Sequence, residues 1–434
     1  MSLQKNILKS VAGKSILMLS GYGLTITISR YFGATGSGFI SYYFSLYTFI
    51  AIFFTAGMDT SLNYFLSSEK MSKQKITSVA LIMLIVLHII IILFCASQFF
   101  FSSINFITGY ILFFFLFTTG ISVTNIFSAL LNAEGRLFKY NIILSAGPVV
   151  LSSLLIYQYC KGVVVKEAIF LGWMGASVYI SAIIIAVMFF ATKKPFEFMR
   201  ISKEEKKKFF RFAFIFLITA LLNLLLTRLD YWFVKNSCTG AELGNYIQSS
   251  RFGQIALLLP GMISFALFPD AVKNAKNNST QNIRLLAKIY FYGAILFCLA
   301  FTLSGNMVFP FLFGKSFTNM SVLFTLSAPG IIFLSLSYPY AIYFPAIQHI
   351  KILLLSLFCT VVFLMLVYFM IAPFQNVYLF AVASSGGYII YCLILLIAFC
   401  KSNRIKLVSL FVINNDEIQR IKKSYLNIKN TLIT

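Results

Sequence analysis

Charged residues are scarce in this chain, and acidic residues are much scarcer than basic ones. Charged residues make up 11% of the 434 positions, with 12 Asp and Glu against 35 Lys and Arg, whereas 59% of the residues are hydrophobic. No stretch outside the apolar runs is long enough to fold around a core of its own. This composition excludes a soluble globular protein and is typical of an integral membrane protein.

Residues that bind metals or transfer protons are also few. The sequence has two histidines and seven cysteines, and the cysteines follow no CxxC or other metal-ligand spacing. It has no phosphate-binding glycine loop, no dinucleotide fingerprint, no HExxH motif and no acidic cluster. We therefore expect no catalytic residues, no metal and no cofactor, and we predict that the protein is not an enzyme.

What the chain does contain is a succession of twelve apolar runs, each long enough to cross a bilayer as a helix. The longest gap between runs, 192–208, is rich in lysine and divides them into six and six. We predict an all-α integral membrane protein with about 12 transmembrane helices in two six-helix lobes, residues 1–191 and 209–400, related by pseudo-two-fold symmetry. The gap forms a basic cytoplasmic linker, and residues 401–434 form a basic cytoplasmic tail with an interfacial helix.

The basic residues fall almost entirely in every second gap between the runs. Of the 35 Lys and Arg, only four lie in the other gaps and three lie at membrane depth. Because cytoplasmic loops carry the excess of Lys and Arg, we predict that both termini are cytoplasmic. These loops, which also attract anionic membrane lipid, account for the net charge of +23, so we expect no nucleic-acid partner.

Charged side chains at bilayer depth are costly unless they face water or a partner, which makes each one a candidate functional residue. All of them lie on the first two spans of their half, where helices are expected to face each other across a central cavity. The alternative is a set of internal salt bridges, such as Asp59 with Arg30 or Asp230 with Arg251. The charged residues at this depth are Arg30, Asp59, Arg228, Asp230 and Arg251.

Two polar stripes with helical spacing favour a hydrated interior. Small polar residues also hydrogen-bond packed membrane helices to each other, but a stripe that includes a carboxylate favours a cavity. The stripe on span 2 is Thr48, Thr55, Asp59 and Asn63, and the stripe on span 4 is Thr118, Ser122, Asn125 and Ser128.

Three short stretches carry a recognisable order of motifs. The first is the glycine turn after the first span, which contains Arg30, Gly33, Gly36 and Gly38. The other two are 131–136 (LNAEGR) and 230–251, which begins DYWF. In this order, and with twelve spans, the three stretches resemble those of polysaccharide (O-antigen) flippases of the multidrug/oligosaccharidyl-lipid/polysaccharide exporter superfamily. This chain differs from that pattern at Ala34-Thr35, where Pro-Glu is frequent in the family.

The resemblance implies a flippase that moves an undecaprenyl-diphosphate-linked oligosaccharide repeat unit across the bacterial cytoplasmic (inner) membrane by alternating access. Such a protein would serve O-antigen, lipopolysaccharide or other surface polysaccharide biosynthesis. H⁺ or Na⁺ as a coupling ion, and other polysaccharide assembly proteins as partners, stay open.

The candidate site residues follow from this cargo. A diphosphate needs cationic partners, and guanidinium groups stay charged and bind phosphate in a bidentate manner. Sugars need hydroxyl and amide partners, and the carboxylates balance charge or bind an ion. The candidate substrate-binding residues are Arg30, Arg228, Arg251, Asn125 and Thr55, and the candidate charge-balancing or ion-binding residues are Asp59 and Asp230.

Three alternative functions remain. A cation-coupled multidrug antiporter of the same superfamily would favour net negative charge in its cavity, whereas this chain has three Arg against two Asp at that depth. A peptidoglycan-precursor flippase of the superfamily usually has additional spans. A membrane glycan polymerase, from a different class, usually has a large external loop, which this sequence lacks.

Overall fold

A computed structural model of the chain describes residues 3–55, 57–67, 72–100, 111–134, 136–191, 198–199, 201–258, 260, 279–347 and 349–411. All regular elements in these residues are helical. The α-helices are α1 (Leu3–Thr55), α2 (Met58–Ser67), α3 (Lys73–Phe100), α4 (Ile111–Ala133), α5 (Leu137–Cys160), α6 (Glu167–Phe190), α7 (Lys203–Ser237), α8 (Gly240–Gly253), α9 (Ser279–Phe313), α10 (Met320–Ala346), α11 (Ile350–Ile371) and α12 (Val377–Asn403).

Ten helices of the described chain are long and apolar enough to cross a membrane. One of them, the α1 segment Ala12–Thr55, has 44 residues, which corresponds to about twice the thickness of a bilayer core. With its kink at Gly33, α1 is long enough to supply two spans. The predicted all-α membrane fold with about 12 transmembrane helices is confirmed.

Large apolar side chains cover the outside of many of these helices. On α11, Leu355, Leu366 and Met370 are each at least 60% exposed, whereas Leu357 and Leu364 on other faces of the same helix are buried. Contiguous exposed apolar surface of this extent is unfavourable in water and favourable against acyl chains. The outward faces therefore suit a lipid environment.

α1 changes direction at Gly33, where φ is 66°. Glycine adopts this left-handed conformation at little cost because it has no Cβ. The helix continues directly after Gly33. The backbone therefore departs from helical geometry at one residue of the turn expected over 33–38. A second glycine with positive φ, Gly57 at 65°, separates the end of α1 from α2.

The chain divides into two compact units, which are described separately. Unit 1 contains α7 and most of α8, which belong to the predicted C-terminal lobe. The lobe boundary stays a prediction, and linker residues 192–197 and tail residues from 412 onward lie outside the described residues. Unit 1 is Met1–Gln248, Asn306–Met320 and Ala372–Val377; unit 2 is Ser249–Gly305, Ser321–Ile371 and Tyr378–Thr434.

Within unit 1, α7 is fixed to the earlier helices at its first turn. Ser202 and Glu205 form a reciprocal capping box that satisfies two backbone N–H groups at the start of the helix. The Glu205 carboxylate also accepts a hydrogen bond from Lys75 Nζ at 3.0 Å, which connects α7 to α3. Phe209, one turn further, is buried in the same apolar cluster as Met58 and Phe65 of α2.

Candidate functional site

The backbones of α1 and α8 come into direct contact along a line that we call the glycine seam, formed by Ala34, Gly38, Gly240 and Gly244. A Cβ atom on Gly38 would lie 2.8 Å from the Gly244 nitrogen and 3.0 Å from the Gly240 oxygen. A Cβ on Gly244 would overlap the Ala34 carbonyl, 2.6 Å from its carbon atom. Pairs of small residues four apart let membrane helices approach this closely, so these glycines have a packing role.

Residues 314–319, which follow α9, hydrogen-bond to the glycine seam and to Asn245 beside it. The Ala34 N–H donates to Ser316 Oγ at 3.0 Å. Asn245 Nδ2 donates to the Ser316 carbonyl at 3.3 Å, and the Asn319 N–H donates to Asn245 Oδ1 at 3.2 Å. Asn245 is buried, so its amide uses both donor and acceptor inside the protein.

A second contact joins the α1–α2 break to α7, and we call it the aromatic seam. A Cβ on Gly57 would lie 2.5 Å from the Leu217 nitrogen and would overlap the Ala213 carbonyl. Beside it, the rings of Tyr64 and Phe212 stack at 4.8 Å between centroids. The aromatic seam consists of Gly57, Tyr64, Phe65, Phe209, Phe212, Ala213 and Leu217.

Arg228 lies on α7 between the two seams. Its Nη1 donates to Ser45 Oγ of α1 at 3.3 Å and to Tyr231 Oη at 3.5 Å, and its guanidinium carbon lies 5.2 Å from the centre of the Tyr231 ring. The side chain is half-buried. Ser45, Arg228 and Tyr231, which we call the arginine layer, thus hold a guanidinium at membrane depth by a hydroxyl, a phenol and a cation–π contact.

The spacing along the helices places the arginine layer inside unit 1, away from both ends of the helices. About 10 Å of α1 separate Gly38 of the glycine seam from Ser45. About 17 Å of α7 separate Leu217 of the aromatic seam from Arg228. Because backbone contacts occur on both sides of the layer, this conformation of unit 1 is closed at both seams.

Asp230 lies next to the arginine layer in a hydrogen-bonded site. The residue is 2% exposed, and its Oδ2 accepts a hydrogen bond from Tyr246 Oη of α8 at 2.6 Å. Its Oδ1 accepts from the Tyr231 N–H at 3.0 Å. Hydrogen bonds of this kind stabilise a buried carboxylate and join α7 to α8. Its role in charge balance or ion binding stays a prediction.

The structure places Arg30 at the end of a neighbouring helix, outside the arginine layer. Its Nε donates to the Leu312 carbonyl at 2.9 Å, and its Nη2 donates to the Phe311 carbonyl. These carbonyls belong to the last turn of α9, where the helix carries partial negative charge and its carbonyls need donors. Arg30 therefore caps α9 in this conformation, and its contact with a diphosphate stays a prediction.

We expect Arg30→Gln to lower the free energy of unfolding by about 1.5 to 3 kcal/mol, because a charged donor to two carbonyls is lost. Thermal unfolding of the purified variant in detergent measures this, with Arg30→Lys as a partly compensating variant. An unchanged melting temperature, combined with weaker cargo binding, would contradict the capping role and favour direct contact with the cargo.

The other predicted site residues that the structure describes lie on α1, α4 and α8. Arg251 lies half-buried in the last turn of α8, in unit 2. Asn125 is half-buried on α4, and Thr55 is buried at the end of α1. The side chain of Asp59 lies outside the described residues. The roles of these residues stay predictions.

The hydroxyl groups of the two polar stripes largely bond to their own helices. They donate to carbonyls three or four residues earlier, a local bond that satisfies a hydroxyl inside a membrane helix. Hydroxyl groups that are bonded within their own helix are weaker evidence for a hydrated cavity than the spacing of the stripes suggested. The donors with this bond are Thr48, Thr55, Ser122 and Ser128.

Sequence reasoning missed the neutral residues around Arg228 and Asp230. Ser45 precedes Thr48 by one helical turn and extends the span 2 stripe, which is a signal that was available. Tyr246 belongs to the 230–251 motif, but nothing in the sequence pairs its hydroxyl with Asp230. Gln248, one turn after Gly244, is a buried amide at a position that carries no charge.

A family model described as "Polysaccharide biosynthesis protein" matches residues 3–275. No curated protein sequence matches the chain. Among solved structures, the lipid II flippase MurJ in an inward closed conformation has 15% identity and a TM-score of 0.72, covering 97% of this chain and 93% of that one.

Two further structures share the architecture. An inward-facing multidrug resistance transporter of the MATE family, in the MOP superfamily, has 14% identity and a TM-score of 0.69, covering 92% of this chain and 98% of that one. A MOP superfamily transporter from Pyrococcus furiosus has 14% identity and a TM-score of 0.65, covering 93% and 95%. With the match over 3–275, these findings show that the chain belongs to the polysaccharide biosynthesis protein family and has the fold of MOP superfamily transporters.

Proposed function

We propose that the protein is a flippase for undecaprenyl-diphosphate-linked oligosaccharide repeat units. It moves them from the inner to the outer leaflet of the bacterial cytoplasmic membrane by alternating access, for O-antigen or other surface polysaccharide synthesis. Both termini are cytoplasmic in this proposal. Membership of the polysaccharide biosynthesis family and the transporter fold support it.

The arginine layer is the observation that carries this proposal. Keeping a guanidinium at membrane depth is costly, and a transported anion repays that cost only while it is bound. Ser45 and Tyr231 contact the Arg228 guanidinium and fix its position on α7. A planar guanidinium offers paired donors that match the oxygen atoms of a diphosphate.

The two seams supply the gates that alternating access requires. With cytoplasmic termini, the aromatic seam lies toward the cytoplasm and the glycine seam lies toward the outside. In the proposed cycle the aromatic seam opens to admit the diphosphate, and the glycine seam opens to release it. The closed conformation of unit 1 is then the intermediate in which neither gate is open.

The membrane potential is sufficient to drive this movement. Each negative charge that moves outward across an inside-negative membrane gains about 2.3 kcal/mol per 100 mV. A diphosphate with about two charges gains roughly 4 to 5 kcal/mol per 100 mV if it crosses the whole field. Energetics therefore does not require H⁺ or Na⁺, although either ion at Asp230 or Asp59 remains an alternative.

Flipping in proteoliposomes tests the proposal. We expect the purified protein to expose a fluorescent diphosphate-linked oligosaccharide lipid to an impermeant quencher, faster when a potassium diffusion potential drives the anion across. A peptidoglycan precursor and a cationic drug serve as competing cargoes. Transport of the drug alone, or no transport of any diphosphate lipid, would overturn the proposal.

A further inference from the structure

Gln248 is a buried amide without a hydrogen bond to any residue that the structure describes. The residue is 1% exposed, and neither its Nε2 nor its Oε1 has a hydrogen-bond partner among those residues. Buried side-chain amides are nearly always bonded, so an amide that leaves both a donor and an acceptor unused requires an explanation. The missing hydrogen bonds destabilise this conformation, since burial prevents water from forming them instead.

Two independent contacts place Gln248 level with Arg228. α7 and α8 run antiparallel, and Tyr246 meets Asp230 across them, so two residues further along α8 correspond to Arg228. Because Ser45 contacts Arg228 and Gly57 lies against Leu217, α1 runs antiparallel to α7 and therefore parallel to α8. Gln248 lies one turn beyond Gly244 of the glycine seam. It therefore continues the stripe of α8 that faces α1, near the level of Ser45.

We infer that Gln248 is a specificity-determining residue that binds two adjacent hydroxyl groups of the sugar next to the diphosphate. This inference rests on the proposed function, because it places the sugar beside the phosphate that Arg228 binds. A carboxamide presents one donor and one acceptor side by side, and a vicinal diol presents an acceptor and a donor at a matching separation. When α1 and α8 separate, the cargo satisfies both atoms at once.

The inference names a class of cargo. The sugar attached to the diphosphate carries at least one pair of free, neighbouring hydroxyl groups. A site built to hydrogen-bond a hydroxyl discriminates strongly against an analogue that lacks it, because the polar group of the protein is then left unpaired. Removing one hydroxyl of the pair therefore slows transport, and removing the amide removes that discrimination.

The test compares two diphosphate-linked monosaccharide lipids in the flipping assay, one with a vicinal diol and one deoxy analogue that lacks one hydroxyl of the pair. We expect the wild-type protein to flip the diol lipid at least about tenfold faster. Gln248→Met keeps the side-chain size. In this variant we expect the flipping rate of the diol lipid to fall to that of the analogue, whose own rate changes less than about twofold.

A matched control is Gln158→Met, which removes a half-buried amide on α5, a helix that does not contribute to the arginine layer. Its preference for the diol is expected to equal that of the wild type. A Gln248→Met protein that keeps the wild-type preference, or that slows both lipids equally, overturns the inference while leaving the flippase function intact. A wild-type protein that flips neither lipid removes the proposed function and the inference with it.

Protein folding is monitored separately so that the result stays interpretable. Gln248→Met is expected to melt at or above the wild-type temperature, since it removes an unbonded amide from the interior. If that variant fails to fold, Gln248→Glu takes its place, because it keeps an acceptor and loses the donor. A partial loss of the diol preference in Gln248→Glu supports the inference, and an unchanged preference overturns it.

Discussion

Gly244→Ala is expected to slow flipping of the proposed cargo by about 10- to 100-fold. The added methyl group would overlap the Ala34 carbonyl, and both groups belong to helical backbone that cannot rotate away. Overpacking of this kind costs about 1 to 3 kcal/mol, which falls entirely on the conformation with a closed glycine seam. An alternating-access cycle must pass through that conformation, so the transport rate falls with its population.

Hydrogen exchange measures the seam directly and does not depend on the identity of the cargo. In Gly244→Ala, the amides of residues 34–41 and 240–247 are expected to exchange faster than in the wild type. Gly23→Ala on α1 is the matched control, because a Cβ there meets nothing within 4 Å. Equal exchange in the two variants would show that the α1–α8 contact does not control opening.

The membrane fold could be predicted because the bilayer imposes its constraints on every span. Apolar length and the alternation of basic loops depend on local sequence alone, and both led to about twelve helices. The kink at Gly33 followed from a glycine-rich turn for the same reason. The break at Gly57, where φ is 65°, could not be predicted in the same way, because the glycine lies against the Ala213 carbonyl of a helix that is distant in sequence.

The site was harder to predict because its partners come from distant parts of the chain. Arg228 was identified from its charge, whereas Ser45 and Tyr231 beside it are neutral and common in membrane helices. Charge at depth also selected Arg30, which the structure uses to cap α9. A charged residue thus marks a cost that must be compensated, but sequence alone does not say whether a helix end or a ligand compensates it.

Charge at depth selected Arg30, whereas Gln248, which has no charge, was missed. An uncharged amide carries no strong cost signal in the sequence, so it was not selected. Its importance appears only when burial and bonding are known together, since a buried amide with a partner stabilises the fold and one without a partner does not. Neutral polar groups therefore need the structure, whereas charged groups can be found without it.

Arg228→Gln is expected to slow flipping of diphosphate-linked lipids by roughly 30-fold or more. Truncating one partner of a desolvated charge pair typically costs about 2 to 5 kcal/mol, and the lost partner here is the phosphate of the cargo. Arg228→Lys keeps the charge but loses the paired donors and the planar contact with Tyr231. Its flipping rate should therefore lie between those of the wild type and Arg228→Gln. Initial rates in the quencher assay measure both variants.

Arg211→Gln provides the control, since Arg211 is an exposed residue near the start of the same helix. Its flipping rate should stay within about twofold of the wild type, because exposed charges far from the cargo contribute little. The effect of Arg228→Gln should also depend on the charge of the cargo. The substitution should lower the flipping rate of a monophosphate lipid less than that of a diphosphate lipid. If both lipids lose rate equally, Arg228 supports the packing of α1 against α7 and does not bind the phosphate.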